Sequence, residues 1–210
     1  MALRAVIFDY GMVLSGPPQP EIRAELLRRI GKSTAESEAL YMKYRHDYDL
    51  GFLTGLEYWH KIFIEAGLPL EEARITETAD LDAAMWTGTN QPMLDWQRSL
   101  KQKGLKAAIL SNMGDRVLAN MKRHLPWIEE FDVQVWSYAL KIAKPDPAIY
   151  RHTLAALGLQ ANETLFVDDL LVNVEAARAV GLKAAQYVCP SQLRDELLAL
   201  GLAAEIPLPA

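Results

Sequence analysis

One cysteine in 210 residues, Cys189, excludes an internal disulfide and fits a reducing compartment. Long hydrophobic runs are missing as well. The apolar stretch Ala5 to Phe8 ends at Asp9, too soon for a signal peptide or a membrane span, so the expectation is a cytoplasmic protein with no membrane partner. Basic runs are absent: the net charge is -5, and no cluster of Lys and Arg offers the footprint that nucleic acid requires. The four histidines, His46, His60, His124 and His152, lack metal-ligand spacing. There is no internal repeat and no low-complexity segment. What remains is an ordinary globular composition, half hydrophobic and 23% charged, long enough for one domain plus a sizeable insertion. A small anionic substrate suits such a chain, because a few placed cations and a metal decide that question rather than net charge.

Short apolar runs alternate with longer amphipathic ones. Strands are expected at Arg4 to Phe8, Leu105 to Leu110, Phe131 to Trp136, Thr164 to Val167 and Lys183 to Val188. Their near-continuous apolar character suggests a parallel sheet covered on both faces. Helical patterns fall between them, at Pro92 to Lys103, Asp115 to His124, Asp146 to Leu157 and Leu170 to Val180, with Gly104, Gly158 and Gly181 at their C-termini. The fold class is α/β, a doubly wound, Rossmann-like parallel sheet. From Leu14 to about Trp86 the rhythm breaks: four helices are expected and no strand, at Pro20 to Ile30, Thr34 to Leu50, Thr54 to Ala66 and Pro69 to Met85. Gly16-Pro17-Pro18 and Thr87-Gly88-Thr89-Asn90 read as linkers at its ends. The expected division is a core domain, 1–15 and 88–210, and an inserted helical cap, 16–87. The tail from Ala204 carries two prolines and is expected to be loosely held.

In open α/β sheets ligands bind beyond the carboxyl ends of the strands. There the chain places Asp9, Ser111-Asn112 and Asp168-Asp169, with Lys144 in the loop after the third strand. A nucleophilic carboxylate, a hydroxyl, an ammonium and an acidic pair would converge in one crevice. Each has a plain structural reading too. Asp9 could be a turn residue, Asp169 and Ser111 could cap helices, and Asn173 could face solvent. Lys144 could be a solvated lysine, with Lys141 a competitor for its role. Trp59, Phe63, Met85 and Trp86 are expected to build the core or hinge of the cap, and Cys189 to pack.

Four segments in order, Phe8-Asp9-Tyr10-Gly11-Met12-Val13-Leu14, Leu110-Ser111-Asn112, Lys144-Pro145-Asp146-Pro147 and Phe166-Val167-Asp168-Asp169 with Asn173, resemble the motifs of the haloacid dehalogenase superfamily. The helical insertion resembles the cap that one branch of that superfamily carries after its first motif, so the resemblance spans nearly the whole chain. It implies a hydrolase, a phosphatase in which Asp9 attacks the phosphorus of a small phosphorylated metabolite such as a sugar phosphate. Water would then hydrolyse the aspartyl-phosphate. It also implies Mg2+ held by Asp9, the Gly11 carbonyl and Asp169, with Asp168 and Asn173 orienting water or the ligands. Lys144 would neutralise the nucleophile and the transferring group, a charge pair at 4 Å contributing about 4 kcal/mol at an effective dielectric of 20. Ser111 and the Asn112 backbone N–H would hold a phosphate oxygen.

One departure matters. Phosphatases of the superfamily commonly carry a second aspartate two residues after the nucleophile, which protonates the leaving group. Here that residue is Gly11. Loss of a general acid costs about 10²–10⁴-fold in rate, so a good leaving group, an anomeric sugar phosphate or an acyl phosphate, suffers least. The rivals are a metal-independent dehalogenase-type hydrolase, disfavoured by the acidic pair Asp168-Asp169, and a catalytically weakened phosphate-ligand binding protein, supported by Gly11. Cap residues Tyr44, Arg45, Tyr48 and Tyr58 are the candidates for specificity. Both a monomer and a homodimer are compatible with the sequence.

Overall fold

The computed structural model describes residues 2–210. Five parallel strands form the centre: β1 (Ala5–Phe8), β2 (Lys106–Ser111), β3 (Val133–Trp136), β4 (Thr164–Asp168) and β5 (Lys183–Gln186), in the order β3-β2-β1-β4-β5. Alternation across the pleat explains why the strands read as unbroken apolar runs. Val6, Phe8, Ala107, Ile109, Leu165 and Val167 enter one core, while Ala5, Ile7, Ala108, Leu110 and Phe166 enter another on the opposite face.

The chain winds from β1 outward through β2 to β3, then returns to the other side of β1 for β4 and β5. The reversal falls between β1 and β4, and such switch points open a crevice at the strands' carboxyl ends. Phe8 pairs with Val167 and the Asp9 N–H donates to the Val167 carbonyl at 2.9 Å, so Asp9 and Asp168 come out of the sheet side by side.

Five helices lie between β1 and the rest of the core: α1 (Pro20–Ile30), α2 (Thr34–Lys43), α3 (Arg45–Asp49), α4 (Gly55–Ala66) and α5 (Glu72–Ala84). Capping boxes start two of them, Ser33 with Glu36 for α2 and Thr54 with Glu57 for α4. The expected single helix from Thr34 to Leu50 is broken at Tyr44, whose φ of −109° and ψ of 4° let α3 turn away from α2. The break carries Arg45 and Asp49 toward the sheet. The two linkers run together, the Gly16 N–H donating to Gly88 at 3.2 Å and the Asn90 N–H to Leu14 at 2.9 Å.

The remaining helices are α6 (Gln91–Gln102), α7 (Asp115–His124), α8 (Ser137–Leu140), α9 (Pro147–Leu157), α10 (Leu171–Val180) and α11 (Pro190–Ala199). Contrary to expectation, the tail is docked. Ile206 is buried, the Trp96 indole donates to the Pro207 carbonyl at 2.7 Å, and Glu205 accepts from the Leu3 N–H at 2.7 Å. Cys189 is half-buried and does not pack in the core; it precedes α11 with its Sγ 3.2 Å from the Ser191 Oγ. Among the described residues no helix is long and apolar enough to cross a membrane.

Candidate active site

Asp9 follows β1 directly and opens a wide helical turn, Tyr10–Leu14. Its Oδ1 accepts from the Tyr10 N–H at 2.7 Å and lies 2.8 Å from the Lys144 Nζ. The turn role once set against catalysis is therefore real, yet it engages one oxygen only, and Asp9 also lines the cavity above the sheet. Met12 within this turn holds φ at 59°, a left-handed value that non-glycine residues adopt at a cost, and its N–H donates to the Ser15 Oγ.

Lys144 is buried rather than solvated. Its Nζ donates to the Asp168 Oδ2 at 2.6 Å, while its backbone is clamped by Asn112, whose side-chain oxygen accepts from the Lys144 N–H and whose amide donates to the Lys144 carbonyl, both at 2.8 Å. The loop after β2 thus fixes the lysine that serves β1. Lys141, the sequence competitor, is exposed and lies over the Phe52 ring instead.

Asp168, fully buried at the end of β4, spends both oxygens inside the protein. Asn173 donates to them at 3.0 and 3.1 Å, and the Leu170 N–H donates to Oδ1 at 2.8 Å. Asn173 faces inward, 3% exposed, and its own carbonyl accepts from the Tyr150 hydroxyl at 2.9 Å. Asp169 is the freer member of the pair. It does not cap α10, whose first turn receives no side-chain cap, and it lines the cavity. Ser111 ends β2 and does not cap α7, which starts at Asp115.

Carboxylate oxygens of Asp9, Asp168 and Asp169 all lie within 4.8 Å of one another. Three such charges against the one ammonium of Lys144 leave an excess of two negative charges, and oxygen ligands of this kind suit a hard divalent cation. The donor set therefore fits magnesium. Electrostatics tell the same story. Burial, then the neighbouring Asp168, push the Asp9 carboxyl up to about 7 against the pull of Lys144. Burial and Asp168 likewise raise the Asp169 carboxyl. Burial works against the Lys144 ammonium, but Asp9 and Asp168 outweigh it and hold that group above the ordinary lysine range.

Above these groups lies a cavity of about 700 Å³, roofed by the helical insertion. Of the four cap residues singled out from sequence, only Arg45 lines it. Tyr48 and Tyr58 stack on each other in the insertion's core, and the Tyr44 hydroxyl donates to Glu65 at the surface. Sequence reasoning missed Arg23, Tyr41, Met42 and Asp49 in the roof, because no motif marks them. Trp59 and Phe63 are core residues as expected, whereas Met85 and Trp86 also face the cavity. A Cβ placed on Gly11 would meet the Trp86 ring at 3.8 Å, an ordinary van der Waals contact, so the indole packs beside this position without filling it.

The model of the haloacid dehalogenase-like hydrolase family matches residues 4–181. The Sesquiterpene phosphatase astK of Aspergillus oryzae is 31% identical over 184 residues, covering 85% of this chain and 87% of the relative. Stretches of the chain also match far longer proteins: it is 36% identical over 102 residues to mouse Acyl-CoA dehydrogenase family member 10, covering 48% of this chain and spanning 9% of that protein. Among solved structures, an enzyme of the same family from Bacteroides thetaiotaomicron superposes with a TM-score of 0.75 at 20% identity, over 95% of this chain and 99% of that one. The L-2-haloacid dehalogenase of Xanthobacter autotrophicus, with chloropropionic acid covalently bound, superposes at 0.64 with 18% identity, over 99% and 90%. At such identities the two structures share the fold, and the family model carries the assignment: this chain is a hydrolase that belongs to the haloacid dehalogenase-like family.

Proposed function

We propose that the chain is a magnesium-dependent phosphatase that transfers the phosphoryl group of a small phosphorylated metabolite to Asp9 and then to water. In this reading residues 1–15 and 88–210 form the catalytic core domain, and 16–87 form the cap domain. The observation that carries the proposal is the position of Asp169 beside Asp9 and Asp168, three carboxylates within 4.8 Å facing a single lysine. Displacement of halide from carbon needs no such cluster, whereas a phosphate dianion cannot approach an anionic nucleophile without compensating charge.

Asp9, the Gly11 carbonyl and Asp169 would hold the Mg2+, which supplies charge neutralisation to the transferring phosphoryl oxygens. Asp9 Oδ2, to which no protein hydrogen bond runs among the described residues, attacks phosphorus. Lys144 holds Oδ1 and keeps the nucleophile aimed. Ser111 and the Asn112 N–H receive a phosphoryl oxygen. Asp168 and Asn173 act behind this layer: with both its oxygens bonded, Asp168 anchors Lys144 rather than substrate. Departure of the leaving oxygen proceeds without an acid at Gly11, which favours weakly basic leaving groups.

The test is phosphate release from a panel of sugar phosphates, acyl phosphates and simple esters, with and without magnesium, for the wild type and Asp9→Asn. Metal-dependent release that disappears in the variant is expected. Release that persists in Asp9→Asn would remove the mechanism, and halide release from a 2-haloacid without metal would move the chain to its dehalogenase rival.

A further inference from the structure

The cavity roof differs in chemistry from its floor. Most polar groups that the roof turns toward the site are already committed to other protein groups, the exception being the Trp86 indole Nε1, which is buried without a partner among the described residues. The Arg45 guanidinium bonds Asp49 at 3.0 and 3.2 Å and donates to the Tyr41 hydroxyl at 2.7 Å. That hydroxyl in turn donates to Asp82 at 2.9 Å. Arg23 pairs with Glu38 and lies over the Tyr41 ring, and the Tyr10 hydroxyl donates to the Trp86 carbonyl. With these groups satisfied internally, what remains for a ligand is largely apolar: Met12, Met42, Met85, Met113, Leu170 and the Trp86 ring, whose unpartnered N–H is a single donor in that surface. Hydroxyl-rich ligands would lose hydrogen bonds to water against such a surface and regain few. Methionines adapt their shape to flexible apolar chains. A volume near 700 Å³ also exceeds what a two- or three-carbon phosphate needs and falls in the range that encloses much larger ligands.

Gly11 adds an independent constraint, since the leaving oxygen must depart without a proton from that position. We propose that the substrate is a phosphate carried on a hydrocarbon chain through a weakly basic oxygen, the class of a medium-chain acyl phosphate. The inference rests on the phosphatase reading above and specifies its substrate class. In the first step the Asp9 carboxylate oxygen bonds to phosphorus and the P–O bond to the acyl group breaks, its electron pair leaving on the carboxylate of the fatty acid. In the second, water attacks the same phosphorus, the Asp9 oxygen leaves with its electrons, and inorganic phosphate and one proton are released. No oxidant or further co-reactant is required.

An acyl series keeps leaving-group basicity nearly constant while chain length varies. Phosphate release above the uncatalysed background, measured with magnesium from acetyl through butanoyl and hexanoyl to octanoyl phosphate, is expected to show kcat/KM rising about fourfold per added methylene. Calorimetric Kd values for the matching alkylphosphonates should fall by the same factor without any turnover. Met42 is 58% exposed, so Met42→Ser is expected to fold and to flatten both slopes. Turnover of acetyl phosphate with no gain along the series, or glucose 1-phosphate outrunning octanoyl phosphate, overturns the inference and leaves the phosphatase standing. A slope unchanged by Met42→Ser also overturns it, by placing the chain elsewhere. Absence of Asp9-dependent release from every ester, acetyl phosphate included, overturns both.

Discussion

Lys144 Nζ and Asp9 Oδ1 lie 2.8 Å apart, with the lysine side chain 1% exposed and the aspartate 11%. A pair this buried is held by its neighbours rather than by solvent. Asn112 fixes the lysine backbone and Asp168 takes a second ammonium hydrogen. Removal of the lysine strands two carboxylates where water cannot compensate them. Lys144→Met is therefore expected to lower stability by about 3–5 kcal/mol as well as to stop turnover. Urea unfolding of the metal-free protein reads the first effect, and an unshifted midpoint contradicts the buried-pair argument.

Gly11 invites a gain of function. Its φ of −58° and ψ of 133° suit any L-residue, and a Cβ there meets the Trp86 ring at an ordinary 3.8 Å. Gly11→Asp should supply the missing acid and raise kcat on simple alkyl phosphates, whose alkoxides leave poorly, by up to about 10²-fold. Acetyl phosphate, which needs no acid, should change little. Equal effects on both substrates would mean that leaving-group protonation is not what this position controls.

The insertion is seated on the core through tight glycine contacts. A Cβ on Gly114 would stand 2.1 Å from Cε2 of Tyr48, closer than any side chain tolerates. Nearby, the Ser137 hydroxyl donates to the Asp49 carbonyl and accepts from the Met113 N–H, and the Gly55 N–H donates to Asp115 at 3.0 Å. Gly114→Ala must displace the Tyr48 ring or the loop that follows Ser111, at a cost of about 1–3 kcal/mol. Limited proteolysis should show faster cleavage in 16–87 than in the wild type; equal rates would show that the seam absorbs a methyl group freely.

Asp82 joins the helices of the insertion, accepting from the Tyr41 hydroxyl at 2.9 Å and the Trp59 indole at 3.2 Å. Burial raises its carboxyl above the ordinary 3.8, against the opposing pull of Arg45 and of these two donors. In the unfolded chain the group ionises at its ordinary value. Across the window from there upward the folded state binds the proton more tightly, so this group's contribution to stability is full below the window and is lost as pH rises through it. Asp82→Asn should flatten the pH dependence of unfolding in the window that opens upward from the ordinary carboxylate value. An unchanged slope there would assign that dependence to other carboxylates.

Much of this architecture was legible because each signal was local. Val6 and Phe8 alternate with Ala5 and Ile7 in a run too short for a helix, and glycines stand where helices end, so strands and helices followed from neighbours in the chain. The four motif segments likewise announced Asp9, Ser111, Lys144 and Asp168-Asp169, since strand ends converge on one edge whatever the loops do. Other features have no local signature. The break at Tyr44 splits a pattern that reads as one helix, because packing against the core outweighs helical continuity. The Pro-containing tail looks free by composition, yet Trp96 and Leu3 capture it from the far side of the chain.

Composition and order by themselves therefore determined a doubly wound fold with a helical insertion and a set of charged residues at its strand ends, and the resemblance of the four motif segments implied a hydrolase. Only the tertiary structure decided which charges are spent and which are free. Asp168 and Asp169 are equivalent as letters, but α10 turns Asn173 and the Leu170 N–H onto the first and leaves the second at the cavity. In the same way Tyr41 and Tyr48 are both tyrosines on neighbouring helices, and the bend between α2 and α3 sends one to the cavity roof and the other over Gly114. Those assignments depend on distances between residues far apart in the chain, a quantity that no window of sequence contains.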